Sequence, residues 1–193
     1  ADFDRRVVPL GGLEQLVLPE DLSMKLQEIV SFEKARGVLF GQWGFDEKAT
    51  YGIGTAALFH GPPGTGKSFA AEAIGFETGK PLKVVNCAEI LSKYVGDTPK
   101  NIEAIFKEAR NNGSILVFDE AEGLFGARTS LSTSTDRYAN VDVGLLLYHV
   151  ERFPGVVILT TNILEQMDQA FFRRLKFVLE FPMPDKMLRE RLW

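Results

Sequence analysis

The stretch Gly61-Pro-Pro-Gly-Thr-Gly-Lys67-Ser68 follows the apolar run 56–60 and leads into the helical pattern FAAEAIGFET. Glycines at 61, 64 and 66 let successive backbone N–H groups turn toward an anion without a side-chain clash. A helix opening at Lys67 aims its positive N-terminal end at the same point. Lys67 supplies a cation for β- and γ-phosphates, and the Ser68 hydroxyl is a hard ligand suited to Mg2+. The pattern G-x-x-x-x-G-K-[ST] is therefore read as a phosphate-binding loop made of Gly61, Pro62, Pro63, Gly64, Thr65, Gly66, Lys67 and Ser68. The alternative is a structural Gly/Pro turn. At ordinary glycine usage a chance match arises on the order of 1% of the time in a chain this long.

The rest of the chain alternates apolar runs with helical patterns. Runs at 56–60, 82–86, 115–119, 156–162 and 176–181 read as five strands. Gly79 and Pro81 end the helix after the glycine turn. Thr98 and Pro99 open another, with Ile102, Ile105, Phe106 and Ala109 at helical spacing. Pro154-Gly155 stops a third helix over 138–153, and Leu22, Leu26 and Ile29 mark a further one upstream. Strands apolar on both faces belong inside a parallel sheet covered by helices, which makes the fold α/β. With 193 residues, 45% of them hydrophobic, the chain can bury a core of ordinary domain size. Only TSLSTST at 129–135 is low in complexity, and it reads as a mobile loop.

ILVFDEAE supplies a second half to the site. Asp119 ends a buried strand at the carboxyl edge, where open α/β sheets bind ligands, and can hold Mg2+ through water. Glu120 stands where it can polarise an attacking water as general base. An acid cluster starting a helix is the competing reading. Glu122 reads equally as a solvated or a functional acid. Asn162, ending ILTTN, serves equally as a strand-terminating turn residue or as a hydrogen-bond donor to the γ-phosphate or lytic water.

Composition closes off several classes. The 22 Lys and Arg against 26 Asp and Glu give a net charge of −4, without the basic excess of a nucleic-acid binder. A single cysteine, Cys87, excludes an internal disulfide; within LKVVNCAE it reads as a packed thiol at a strand end. Two histidines, His60 and His149, lie too far apart to suggest a metal centre. No run reaches the length of a membrane span and ADFDRRVV is not a secretory signal, so a reducing, cytoplasmic setting is expected.

The stretches GPPGTGKS, ILVFDEAEGLFGAR, VVILTTN and DQAFFRRLKFVLEFPMPD occur in this order, covering about two thirds of the chain. Together they resemble the AAA+ ATPases, and within them the AAA subfamily of protein remodellers. SKYVGDT and DRYAN add a likeness to bacterial-type members. The resemblance implies a P-loop NTPase three-layer sandwich around a five-stranded parallel sheet of order 5-1-4-3-2. It divides the chain into an N-terminal helical and connector part (1–54), an α/β core (55–185) and the start of a truncated helical lid (186–193). A chain lacking that lid is expected to be a poor ATPase.

The same resemblance makes Asn162 the sensor residue and Arg173 and Arg174 the arginine fingers. They are adjacent here, without the Pro-Gly spacer of many members; katanin- and spastin-like enzymes also lack it. Taken alone, the pair reads as a solvated basic turn. As fingers they act on a neighbouring subunit's ATP, which implies a homo-oligomeric, normally hexameric, ring. Lys93, Tyr94, Val95 and Gly96 fall on the pore loop that grips a polypeptide substrate; a surface loop with one exposed aromatic is the alternative. Arg128 matches an arginine near the second pore loop, and the adenine pocket falls near residues 16–18. ATP and Mg2+ are the implied ligands, hydrolysis the implied reaction, and a protein-threading motor the implied role. A nucleic-acid machine of the initiator or clamp-loader type fits less well, because an aromatic-aliphatic pair stands where a DNA tracker would carry a basic hairpin. A non-hydrolysing nucleotide switch also fits less well, because Glu120, Asn162 and both arginines are present.

Overall fold

The computed structural model describes residues 4–41, 54–93, 98–126 and 143–184. Six strands form one sheet: β1 (Asp4–Val7), β2 (Thr55–His60), β3 (Leu82–Asn86), β4 (Ile115–Asp119), β5 (Val156–Thr161) and β6 (Phe177–Glu180). Their order is β1-β3-β4-β5-β2-β6. Strands β2 to β6 pair in parallel and reproduce the expected 5-1-4-3-2 order, read from the other edge.

The five expected parallel strands are all present, and a sixth joins them at one edge. Strand β1 pairs antiparallel with β3, placing Asp4 opposite Val85 and Arg6 opposite Lys83. Asp-Arg-Arg-Val has no apolar alternation, so nothing local announces a strand there. Its backbone ladder with β3 is reinforced by an ion pair: Lys83 Nζ lies 2.7 Å from Asp4 Oδ2, and 2.9 Å from Glu108 Oε2 of the helix behind. A short, charged outer strand also protects the sheet edge from further pairing.

Alternate residues of each central strand serve opposite cores. Ala56 and Leu58 of β2, Leu116 and Phe118 of β4, and Val157 and Leu159 of β5 face one side. Ala57 and Phe59, Ile115 and Val117, and Val156 and Ile158 face the other. Helices α1 (Glu20–Gly41) and α2 (Lys67–Thr78) cover the second face. Helices α3 (Cys87–Lys93), α4 (Thr98–Asn112), α5 (Glu122–Phe125) and α6 (Val143–Arg152) cover the first, completing the three layers.

Local chemistry sets the helix ends. Gly79 takes φ 70° after α2, where a left-handed residue turns the chain, and the Lys80 N–H closes the cap on the Gly75 carbonyl at 2.9 Å. The Asn86 side-chain oxygen accepts from the N–H groups of Ala88 (3.1 Å) and Glu89 (3.3 Å), which starts α3. Cys87 therefore opens a helix, where the sequence suggested a strand end. Its thiol is fully buried, and burial, reinforced by Asp119, Glu122 and Glu120, pushes its pKa well up. It is a packed thiol.

A run of aromatic contacts crosses the first core. Phe106 meets Phe118 at 5.5 Å, Phe118 meets Phe125 at 5.1 Å, and Phe125 meets Phe171 edge-on at 4.7 Å. Contacts of this kind contribute about 0.5–1.5 kcal/mol each beyond the area they bury. Through them the 3-10 turn Gln169–Arg174 is anchored to β4 and α5.

Candidate functional site

The parallel strands present their carboxyl ends along one rim, where Asn86 lies opposite Asp119 and His60 lies opposite Thr161. The glycine loop leaves β2 at this rim and enters α2. Together they border a cleft of about 800 Å³, lined by Pro63–Ser68, Asp119, Glu120 and Asn162. The segment 10–18, which includes the expected adenine region Leu16, Val17 and Leu18, forms another wall.

The three motif glycines have different reasons to be glycine. Gly61 (φ +149°) lies where a Cβ would come within 2.2 Å of the Phe181 carbonyl oxygen, so its requirement is backbone packing against the chain leaving β6. Gly64 (φ +77°) and Gly66 (φ +98°) face open space and need glycine for conformation alone. Their bare backbones leave room for a ligand to approach. Gly66 is the N-cap of α2 and provides no side-chain acceptor, so the first N–H groups of the helix remain available to an anion.

Lys67 is the buried cation of the loop. Its Nζ donates to the carbonyls of Gly61 (2.6 Å) and Pro62 (2.8 Å), while Thr65 Oγ1 also donates to Pro62 (2.9 Å). Burial holds the ammonium pKa below its ordinary value, an effect the Asp119 and Glu122 carboxylates offset only in part. Ser68, at the first turn of α2, is exposed to the cleft.

Asp119 is used asymmetrically. Its Oδ1 accepts from Thr160 Oγ1 (2.7 Å) and from the Glu120 N–H (3.1 Å). Oδ2 receives no hydrogen bond among the described residues. Glu120 is exposed and has φ 53°, the one non-glycine residue at positive φ among those described. Glu122 turns the other way: its Oε2 accepts from Thr161 Oγ1 at 2.6 Å, and Thr161 Oγ1 accepts from the Ile163 N–H at 3.1 Å. Thus Thr161 pins the backbone on the far side of Asn162, which is itself exposed on the cleft.

The donors present suit Mg2+ held together with phosphates. A carboxylate and a hydroxyl, both hard oxygen ligands, face one cleft, and no cluster of three or more metal-binding side chains exists among the described residues. Magnesium is typically held in this way, by one or two protein oxygens plus substrate phosphates and water.

Arg173 and Arg174 do not line the cleft. They are exposed on the 3-10 turn Gln169–Arg174, where Arg174 Nε donates to Glu151 Oε1 of α6. Lys93 ends α3, and Tyr94, Val95, Gly96 and Arg128 lie outside the described residues.

Sequence reasoning missed Thr160 and Thr161 as site residues. The polar triplet 160–162 was the available signal, but hydroxyls at a strand end do not reveal their partners. It also missed Phe69, 67% exposed and on the cleft wall, since an aromatic within a helix ordinarily signals core.

Residues 57–183 match the profile of the ATPase family associated with various cellular activities (AAA). The chain is similar to an AAA family ATPase of Sinorhizobium fredii (strain NBRC 101917 / NGR234), being 31% identical over 188 residues, 96% of this chain and 54% of the relative. It is similar to the proteasome-activating nucleotidase of Aeropyrum pernix, 32% identical over 190 residues, 95% of this chain and 43% of the relative. It is also similar to the 26S proteasome regulatory subunit 6B homolog of Encephalitozoon cuniculi, 31% identical over 169 residues, 84% of this chain and 42% of the relative. The chain thus spans about half the length of the curated relatives it matches. Among solved structures, the crystal structure of the FIGL-1 AAA domain shares the fold, with a TM-score of 0.73 at 22% identity, over 100% of this chain and 61% of that one. No helix among the described residues is long and apolar enough to cross a membrane. The three-layer fold, the rim cleft and the match over 57–183 lead to one statement: the chain belongs to the AAA family of ATPases.

Proposed function

We propose that this chain is the ATP-binding and ATP-hydrolysing module of a ring-forming motor that remodels, unfolds or disassembles proteins by threading them through a central pore. The observation that carries hydrolysis is the backbone of Glu120. A non-glycine residue in the left-handed region stores strain, which persists at positions where function demands the geometry. Here it sets Glu120 on the cleft that Asp119 and the Lys67 loop also line.

The roles follow from chemistry. The glycine-loop N–H groups and Lys67 hold the β- and γ-phosphates of ATP. Ser68 and, through water, Asp119 would hold Mg2+, whose charge offsets that of the phosphate oxygens. Glu120 accepts a proton from water as its oxygen bonds to the γ-phosphorus and the bond to the bridging oxygen of ADP breaks. Asn162 orients the γ-phosphate or that water. Arg173 and Arg174 stand apart from this protomer's cleft, which supports a role at a neighbour's site and hence a homo-oligomeric ring.

The protein-directed role rests on the proteasomal relatives and on Lys93, Tyr94, Val95 and Gly96 as a substrate-gripping loop. A cytoplasmic location belongs to the same reading. The test is Glu120→Gln, measured for nucleotide affinity and for turnover. Retained ATP binding with turnover lost supports the proposal. Unchanged turnover removes Glu120 as the base.

A further inference from the structure

Strand β5 ends in two consecutive threonines whose side chains go to opposite faces of the sheet, as strand geometry requires. Thr161 reaches Glu122 of α5, and Thr160 reaches Asp119 of β4. Thr160 is 2% exposed, and its β-branched side chain has few rotamers to choose from. Its hydroxyl donates to Asp119 Oδ1 at 2.7 Å, the same oxygen that accepts the Glu120 N–H. Both protein donors therefore fall on one carboxylate oxygen.

We infer that Thr160 is a positioning residue for magnesium: it locks Asp119 Oδ1 so that Oδ2 alone is presented to the metal's water shell. The inference rests on the reading of Asp119 as a Mg2+-holding residue. A free carboxylate rotates and shares its two oxygens among competing donors. Asp119, clamped from a neighbouring strand and from its own backbone, keeps one orientation, so less order must be acquired when the metal arrives. A threonine serving packing alone would have no use for a hydroxyl aimed at an acid that borders a cleft.

The test is binding of a fluorescent ATP analogue to the full chain, titrated with and without Mg2+, in Thr160→Val, Thr160→Ser and Asp119→Ala. Valine keeps the shape and removes the hydroxyl; serine keeps the hydroxyl. Thr160→Val is expected to bind the analogue in EDTA as the natural chain does, but to lose about tenfold of the gain given by Mg2+. That factor corresponds to one hydrogen bond to a charged group. Thr160→Ser is expected to keep the gain. A full Mg2+ gain in Thr160→Val overturns the inference, as does an equal loss in Thr160→Ser. A full gain in Asp119→Ala overturns the assignment of Asp119, and with it the inference.

Discussion

Arg174 and Glu151 form an ion pair between the 3-10 turn Gln169–Arg174 and helix α6, whereas Arg173 has no ion-pair or hydrogen-bond partner among the described residues. The paired side chains are 40% and 27% exposed, so the bridge adds no more than about 0–1 kcal/mol to stability. Its effect is orientation: the Arg174 guanidinium is held against its own chain, whereas Arg173 is exposed without such a tether among the described residues. The adjacent arginines are therefore expected to be unequal. If the chain assembles into the proposed ring, Arg173→Ala should lower its turnover by about 10³-fold with nucleotide affinity unchanged, the scale of a lost arginine finger. Arg174→Ala should cost about tenfold or less. Mixing Arg173→Ala with Lys67→Ala subunits should restore part of the activity, because some interfaces then join an intact loop to an intact arginine. No restoration would place Arg173 in its own subunit's site.

The loop glycines separate folding from binding. A Cβ on Gly61 meets the Phe181 carbonyl at 2.2 Å, so Gly61→Ala is expected to displace the chain after β6. Overpacking of this kind costs roughly 1–3 kcal/mol, read as a fall in the thermal midpoint. Gly64→Ala meets no neighbouring atom and carries only the strain of its positive φ, roughly 1 kcal/mol. Its larger effect should be on nucleotide affinity, because the methyl group stands on the open side of the loop. Equal loss of stability in the two variants would contradict this division.

Which parts of this molecule were legible in sequence follows from where their causes lie. The five parallel strands were legible because burial on both faces writes an apolar run at each. Strand β1 was not, because Lys83 and the edge of β3 hold it from outside. Cys87 was placed in the wrong element because the cap that starts α3 is the Asn86 side chain, which ends a strand equally well. The glycine loop and Asp119-Glu120 were legible because their chemistry is contiguous. Thr160 and Glu151 were not. Each acts on a residue distant in sequence, Asp119 at 41 positions and Arg174 at 23, and only the sheet and the aromatic run bring them together.

Tyr94 offers a test that tells the proposed motor apart from a plain ATPase. If residues 93–96 grip a polypeptide by apolar contact, Tyr94→Ala should leave nucleotide affinity and basal turnover unchanged. It should also abolish the rise in turnover on adding an unfolded protein. Stimulation that survives the change would exclude threading through this loop.

Glu33 links the stability of the α1–α2 face to pH. It is 3% exposed on α1 and accepts from Arg36, through Nη2 at 2.7 Å and Nε at 3.1 Å, and from Lys80 just beyond the cap of α2. Burial alone would raise its carboxyl pKa, but Arg36 and Lys80 outweigh burial and hold it below the ordinary value of about 4.5. Above that pH the carboxylate is ionised in both the folded and the unfolded chain, and the pairing contributes its full stability. As pH falls below 4.5 the unfolded chain takes up the proton first, so stability declines until the folded carboxyl protonates as well. Glu33→Gln removes the charge but leaves Arg36 and Lys80 in place. It is expected to cost roughly 2 kcal/mol at neutral pH, below the about 3–5 kcal/mol of a fully buried pair because Lys80 keeps 27% of its side chain in water. The gap between the two proteins, measured by denaturant unfolding, should narrow steadily below pH 4.5. A gap constant with pH would show that Glu33 acts by packing and not by charge.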